Sequence, residues 1–387
     1  MTGSATSSAL DARSVEPLFR PFELAGLTLS NRIVMAPMTR SFSPGGIPGA
    51  DVAAYYARRA ANGVGLIITE GSWIPHAGAA NDDNAPCFYG EAALAEWTKI
   101  LAGVHAAGGK MMPQLWHAGL MLRPQIDGVY EGVRGLDANQ VGPSGMVGGM
   151  GILPEKLAQP MSQADIDAVI DAYATSAATA HRMGFDGIEL HGAHGYLLDQ
   201  FMWERTNLRE DRYGGSVVKR ATFVAETVAE IRARTSVDFP IALRFSQWKG
   251  HDFKARLVTT PQELETMLAP IVDAGVDLFD CSTRRFWEPE FPGSDMNLAG
   301  WTRKVTGKPA MTVGSVSLDN ELVATLLGES ARPTGINRLL EMLARGDFDL
   351  VGIGRALLSN PDWPKKIRSG AWGDLNPYTP KVLESLY

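Results

Sequence analysis

At 387 residues and 41.7 kDa the chain has room for one large α/β barrel or two ordinary domains, so length bounds the fold without choosing it. A 45% hydrophobic and 20% charged composition with a formal net charge of −7 is that of an acidic globular protein and argues against the broad basic face of a nucleic-acid binder. Cys87 and Cys281 stand far apart without CxxC spacing, which argues against a disulfide framework or an iron–sulfur or zinc site and fits a reducing compartment.

The first dozen residues, MTGSATSSALDA, are small and polar and lack the basic and apolar regions of a signal peptide. Residues 1–16 are therefore expected to form a flexible tail ahead of a single domain over 17–387. No apolar run reaches membrane-spanning length, so a cytoplasmic protein with no membrane partner is expected.

The run PFELAGLTLSN has the look of a small hairpin that closes the bottom of a barrel. Short β-rich apolar runs then alternate with helical patterns. The expected strands are RIVMAP (32–37), GLIITE (65–70), KMMPQL (110–115), DGIEL (186–190), IALRFS (241–246), DLFDCS (277–282), PAMTVG (309–314) and FDLVGIG (348–354). The best helix starts at the N-cap residue Ser162 and runs to Met183, with Ile166, Val169, Ile170 and Tyr173 at i, i+3, i+4, i+7 spacing. Others are expected near 51–61, 91–107, 216–234, 261–274 and 318–327. Eight βα units with near-continuously apolar strands imply a closed parallel (β/α)8 TIM barrel. The Gly- and Pro-rich stretch of about 116–160 is too long for an ordinary βα loop and implies a capping excursion after strand three.

In such a barrel the chemistry gathers at the C-terminal ends of the strands. Those ends carry Pro37-Met38-Thr39, Glu70-Gly71, Gln114 with Trp116-His117, Arg244, Val313-Gly314-Ser315 and Gly354-Arg355. Glycines plus an arginine after the last two strands suit an anion, because bare backbone N–H groups can approach it. After FDGIEL comes His191-Gly192-Ala193-His194-Gly195-Tyr196, read as a loop that aims two imidazoles and a phenol at a ligand. Imidazoles can donate hydrogen bonds to one carbonyl oxygen, and a phenol with a pKa of about 10 can protonate a far more basic enolate. That pairing suggests reduction of a polarised C=C bond.

Each residue also has a bland reading. The histidine pair could hold a metal, although no third ligand with fitting spacing is evident. Tyr196 could pack with Leu197 and Leu198, Thr39 could simply end a strand, and Arg244 could be half of a buried ion pair with Asp280. Glu189 is expected to point to the opposite side from the histidines. The string VGIGRAL lacks the third glycine of a dinucleotide fingerprint.

The ordered set LSNRIVMAPMTR, EGSWI, PQLWHAG, VGPS, HGAHGYLLDQF, RYGGS, RFS and GRALLSNP resembles the Old Yellow Enzyme family, the FMN-dependent ene-reductases, over nearly the whole chain. The resemblance implies a non-covalent FMN with NADPH or NADH as reductant. Thr39 would bond the flavin carbonyl near N5, Gln114 the pyrimidine edge, and Arg244 the N1/C2 carbonyl region, where reduced-flavin charge accumulates. Gly71 and Pro37-Met38 would line the ring. Val313, Gly314, Ser315, Gly354 and Arg355 would hold the phosphate end. Trp116 would border the substrate, an α,β-unsaturated carbonyl compound whose oxygen is held by His191 and His194 and whose α-carbon is protonated by Tyr196. A nitro-compound or nitrate-ester reductase on the same site, and a metal-dependent hydrolase on the same barrel, are the alternatives. A monomer or homodimer is expected.

The chain also departs from the family pattern. Histidine stands at 194 where many relatives carry Asn, so oxyanion binding would depend more on pH near neutrality. Leu120 stands where an arginine is common. SQWKG replaces a Ser-Pro, and Trp248, Phe286 and Trp287 would reshape the pocket.

Overall fold

A computed structural model describes residues 12–122 and 138–387; the central part of the capping excursion and the start of the tail lie outside the described residues. The first described element is a 3-10 helix, Ala12–Phe19, which buries Val15 and Leu18. The packed chain thus starts inside the segment expected to be a tail.

Strands β1 (Phe22–Leu24) and β2 (Leu27–Leu29) form an antiparallel hairpin. Its Leu24 and Leu29 pack with Leu66, Leu278 and Leu350, the residues at or near the N-terminal ends of barrel strands, and so plug the bottom. Strands β3 (Ile33–Met35), β4 (Leu66–Trp73), β5 (Lys110–Trp116), β8 (Ile188–His194), β9 (Ile241–Lys249), β10 (Leu278–Ser282), β11 (Ala310–Val313) and β12 (Leu350–Ile353) close into an eight-stranded parallel barrel. All eight coincide with the apolar runs read from the sequence, because strands buried on both faces must be apolar on both.

Outside the barrel lie α1 (Ala50–Ala61), α2 (Glu91–Ala106), α3 (Gln163–Met183), α6 (Thr222–Arg234) and α7 (Pro261–Asp273). In α3 the Ser162 hydroxyl accepts from Asp165 N–H while the Asp165 carboxylate accepts from Ser162 N–H, and Gly184 ends the helix in the left-handed region. Such a capping box is worth about 1 kcal/mol. The helix expected over 216–234 is divided into α5 (Val217–Arg220) and α6, with α4 (Leu197–Met202) before them. Near 318–327 only α9 (Leu322–Leu326) is helical, while α8 (Leu298–Thr306), α10 (Asn337–Arg345), α11 (Arg355–Ser359) and α12 (Trp363–Ser369) were not read from the sequence.

The described part of the capping excursion contains an antiparallel hairpin, β6 (Met146–Gly149) and β7 (Ile152–Lys156). Its turn touches the active face: Gly151 N–H donates to Gly250 O at 2.7 Å, and Gly250 N–H donates to His194 O at 2.9 Å. Asp211 accepts from Arg209 and from the Tyr213 N–H. Among the described residues no helix is long and apolar enough to cross a membrane.

Candidate active site

The HGAH segment is not a loop after a strand but the end of β8 itself. The register with β9 shifts between Gly192 and His194, and this bulge turns His194 to φ +64, held by its N–H donating to Ser246 Oγ at 3.0 Å. Non-glycine residues rarely adopt that conformation unless neighbours impose it. Gly195 follows at φ +93, where an added Cβ would lie 2.3 Å from His251 Nδ1. Local sequence reads only the glycines; the bulge that aims His194 depends on β9, some fifty residues on.

The three donors converge. The ring centroids of His191 and His194 are 5.3 Å apart, and those of His191 and Tyr196 4.8 Å. Trp116 meets Tyr196 edge-on at 4.7 Å and is backed by Trp73 in a stack at 3.8 Å. Gly71 permits that stack, since a Cβ there would come within 2.5 Å of the Trp116 ring. Trp248 lies over His194 at 4.4 Å, so this departure does shape the pocket wall.

Burial and the Arg244 cation pull both imidazoles well below the ordinary histidine range, so they are neutral near pH 7. The pH dependence expected of a histidine at 194 is thereby corrected: desolvation removes it from the neutral window. Burial, and behind it the Asp82 carboxylate, pushes the Tyr196 phenol up, so it carries its proton at neutral pH. Asp199 Oδ2 accepts from Gly195 N–H at 2.6 Å and its Oδ1 from Lys249 Nζ at 2.7 Å, with Lys249 also donating to Ser246 O. This ion pair is fully buried and braces both sides of the left-handed turn.

Glu189 does not face away from the histidines. Residues two apart on a strand share a face, and Glu189 lies in the barrel interior, where its Oε1 accepts from Gln114 Nε2 at 2.8 Å. Arg244 is paired with Asp280, Nη1 to Oδ2 2.8 Å, so the ion pair considered from the sequence is formed. Burial raises both carboxyls. Glu189 rises furthest because the Asp280 charge adds to it, while Arg244 opposes the rise of Asp280.

A cleft of about 610 Å³, open to solvent, adjoins these residues and is lined by Pro37, Met38, His194, Arg244, Trp248, Val313, Gly314, Ser315, Gly354 and Arg355. Thr39 is exposed, and Thr39, Gly71, Gln114, Trp116, His191 and Tyr196 lie outside that lining. Ser282, Thr283 and Arg284 line it too and were not picked from the sequence, although DLFDCSTR places them at a strand end. Gly314 is at φ +138, and a Cβ there would be 2.4 Å from Thr283 O, so backbone forms that wall. Arg355 spends its Nη donors on Glu321 O, Thr325 Oγ1, Ser315 Oγ and Asn320 O, which shapes the rim while keeping its charge there.

The residues fit a flat anionic cofactor: bare backbone and Arg355 line one end of the cleft and Arg244 lines it too, while Arg244 Nε and, beside the cleft, His191 Nδ1 and Trp116 Nε1 are buried without hydrogen-bond partners among the described residues. Among the described residues no group of three or more His, Cys, Asp or Glu is placed to hold a metal ion.

Residues 17–372 match the family described as NADH:flavin oxidoreductase / NADH oxidase. The chain is 31% identical over 390 residues to 12-oxophytodienoate reductase 7 of Oryza sativa subsp. japonica, covering 95% of this chain and 91% of that one. It is 28% identical to 12-oxophytodienoate reductase 2 of Arabidopsis thaliana, covering 95% and 92%. Among solved structures, the Old Yellow Enzyme homologue of Zymomonas mobilis superposes with a TM-score of 0.74 at 26% identity, covering 95% of this chain and 96% of that one. Morphinone reductase in complex with tetrahydroNAD gives 0.74 at 25% identity, covering 95% and 93%. The chain belongs to the NADH:flavin oxidoreductase / NADH oxidase family, the Old Yellow Enzyme group, whose members bind FMN non-covalently and use NAD(P)H.

Proposed function

We propose that the protein is an ene-reductase for α,β-unsaturated carbonyl compounds. The observation that carries this reading is the convergence of two neutral imidazoles and a protonated phenol beside a cleft with an anion-accepting end. Bound FMN, reduced by NAD(P)H, supplies the hydride that reaches the substrate's β-carbon.

Gly314, Ser315, Gly354 and Arg355 hold the cofactor's phosphate end, and Gln114 and Arg244 its pyrimidine edge. Pro37, Met38, Thr39 and Gly71 would line the ring, and Val313 would stand with the residues of the phosphate end. His191 and His194 donate hydrogen bonds to the substrate's carbonyl oxygen and stabilise the negative charge that develops there. Neutral imidazoles suit this role because they retain an N–H donor without a proton to lose. Tyr196 delivers a proton to the α-carbon. Trp116 and Trp248 exclude water from the two ends of this triad.

Anaerobic stopped-flow mixing tests the assignment. NADPH or NADH should bleach the flavin absorbance of the purified yellow protein, and cyclohexenone should restore it. A flavin that is reduced but never reoxidised by enones would refute the reading.

A further inference from the structure

Beneath the cleft, at the level of Arg244, a belt of polar side chains crosses the barrel interior. Gln114 on β5 donates to Glu189 on β8, and Arg244 on β9 donates to Asp280 and, at 3.2 Å, to Ser282 Oγ on β10. Two oxygens in the belt, Glu189 Oε2 and Asp280 Oδ1, lack an N–H or O–H partner among the described residues. Burial, with the Asp280 charge beside it, raises the Glu189 carboxyl well above its ordinary range, and burial raises Asp280 while Arg244 opposes that rise. Within the belt Arg244 and Asp280 form an ion pair, 2.8 Å apart and buried from water.

We propose that Asp280 is a positioning residue that sets the reduction potential of the bound flavin by neutralising Arg244. The inference rests on the placement of the flavin's pyrimidine edge at Arg244. Reduction adds negative charge at that edge, and an unpaired arginine would stabilise it strongly in a low-dielectric interior. Paired to Asp280 on its Nη1 side, Arg244 fixes its orientation but offers little net charge, so the flavin is harder to reduce and, once reduced, a stronger hydride donor. Glu189 accepts from Gln114, and burial shifts it toward its neutral form, so it adds little charge beside Arg244.

The test is the midpoint potential of bound FMN, measured by equilibration with a reference dye in wild type, Asp280→Asn and Glu189→Gln. Asp280→Asn should move the potential to more positive values, while Glu189→Gln, which reproduces the protonated carboxyl's donor and acceptor, should leave it near wild type. Sulfite, which adds to flavin N5 and places the same negative charge at the N1/C2 edge, gives a second readout. Its dissociation constant should fall about tenfold or more in Asp280→Asn, as expected for removing one nearby buried anion. Asp280→Ser carries the same expectation and serves if the asparagine variant does not fold. An unchanged or more negative potential in a folded, FMN-loaded Asp280 variant overturns the proposal, as does an equal shift in Glu189→Gln. A wild-type protein that binds no FMN would instead remove the flavin placement on which the inference stands.

Discussion

His194 Nε2 lies 2.8 Å from Ser282 Oγ, and the same hydroxyl oxygen accepts a hydrogen bond from Arg244 Nη2 at 3.2 Å. Arginine can only donate, and the Ser282 proton has no other hydrogen-bond acceptor among the described residues. With Arg244 occupying one lone pair of Ser282, the arrangement favours the serine hydroxyl as donor to His194 Nε2, with the imidazole proton on Nδ1. Removing the hydroxyl frees the tautomer. Ser282→Ala is expected to weaken binding of phenols, mimics of the enolate oxygen, by about 1 kcal/mol, a five- to tenfold rise in Kd. Titration of the flavin spectrum measures it, and an unchanged Kd rejects the tautomer assignment.

The depressed pKa values of His191 and His194 carry a sign. Both groups are pulled below the ordinary value of 6.5, so they stay neutral as pH falls through 6.5 and have nothing to lose above it. Affinity for phenol, whose own pKa is about 10, should accordingly be flat between pH 6 and 8. A tenfold change across that interval would show that an imidazole titrates there.

Gly195 combines φ +93 with a 2.3 Å approach of its missing Cβ to His251 Nδ1. Left-handed backbone alone costs a non-glycine residue about 1–2 kcal/mol, and His251 is buried with little room to yield. Gly195→Ala should lower the Tm by several degrees and raise the phenol Kd, because the turn that aims His194 must move. Wild-type values for both would show that the turn is not under this constraint.

The Asp199–Lys249 pair is fully buried, and burial raises the Asp199 carboxyl to about 6 even with the ammonium beside it. Asp199→Asn leaves Lys249 as an uncompensated buried cation. A loss of about 3–5 kcal/mol in unfolding free energy is expected, read by denaturant titration. A loss below 1 kcal/mol would mean that Lys249 finds water or another partner.

The barrel was legible because its signal is local: eight apolar runs, each a strand buried on both faces. Helix α10 was not read from the sequence, although Leu339, Leu340, Met342 and Leu343 give it an apolar face. In α8, Gly300 and the β-branched Thr302, Val305 and Thr306 weaken the helical pattern, and only the Asn297 cap announces it. The site divides the same way. His191, His194, Tyr196 and Arg244 announce themselves by type and by strand end. Ser282 and Lys249 act through partners 88 and 50 residues away, a relation that no local pattern encodes. Glu189 was misplaced by the sequence reading, although strand parity puts it on the face of His191.

The most direct test of the division of labour is to measure the two half-reactions of Tyr196→Phe separately. Reduction of the flavin by NADPH or NADH should proceed near the wild-type rate, while reoxidation by cyclohexenone should slow by about 10²–10⁴-fold, the usual worth of a positioned general acid. Equal loss in both halves, or reoxidation at the wild-type rate, would contradict the role of Tyr196 as proton donor.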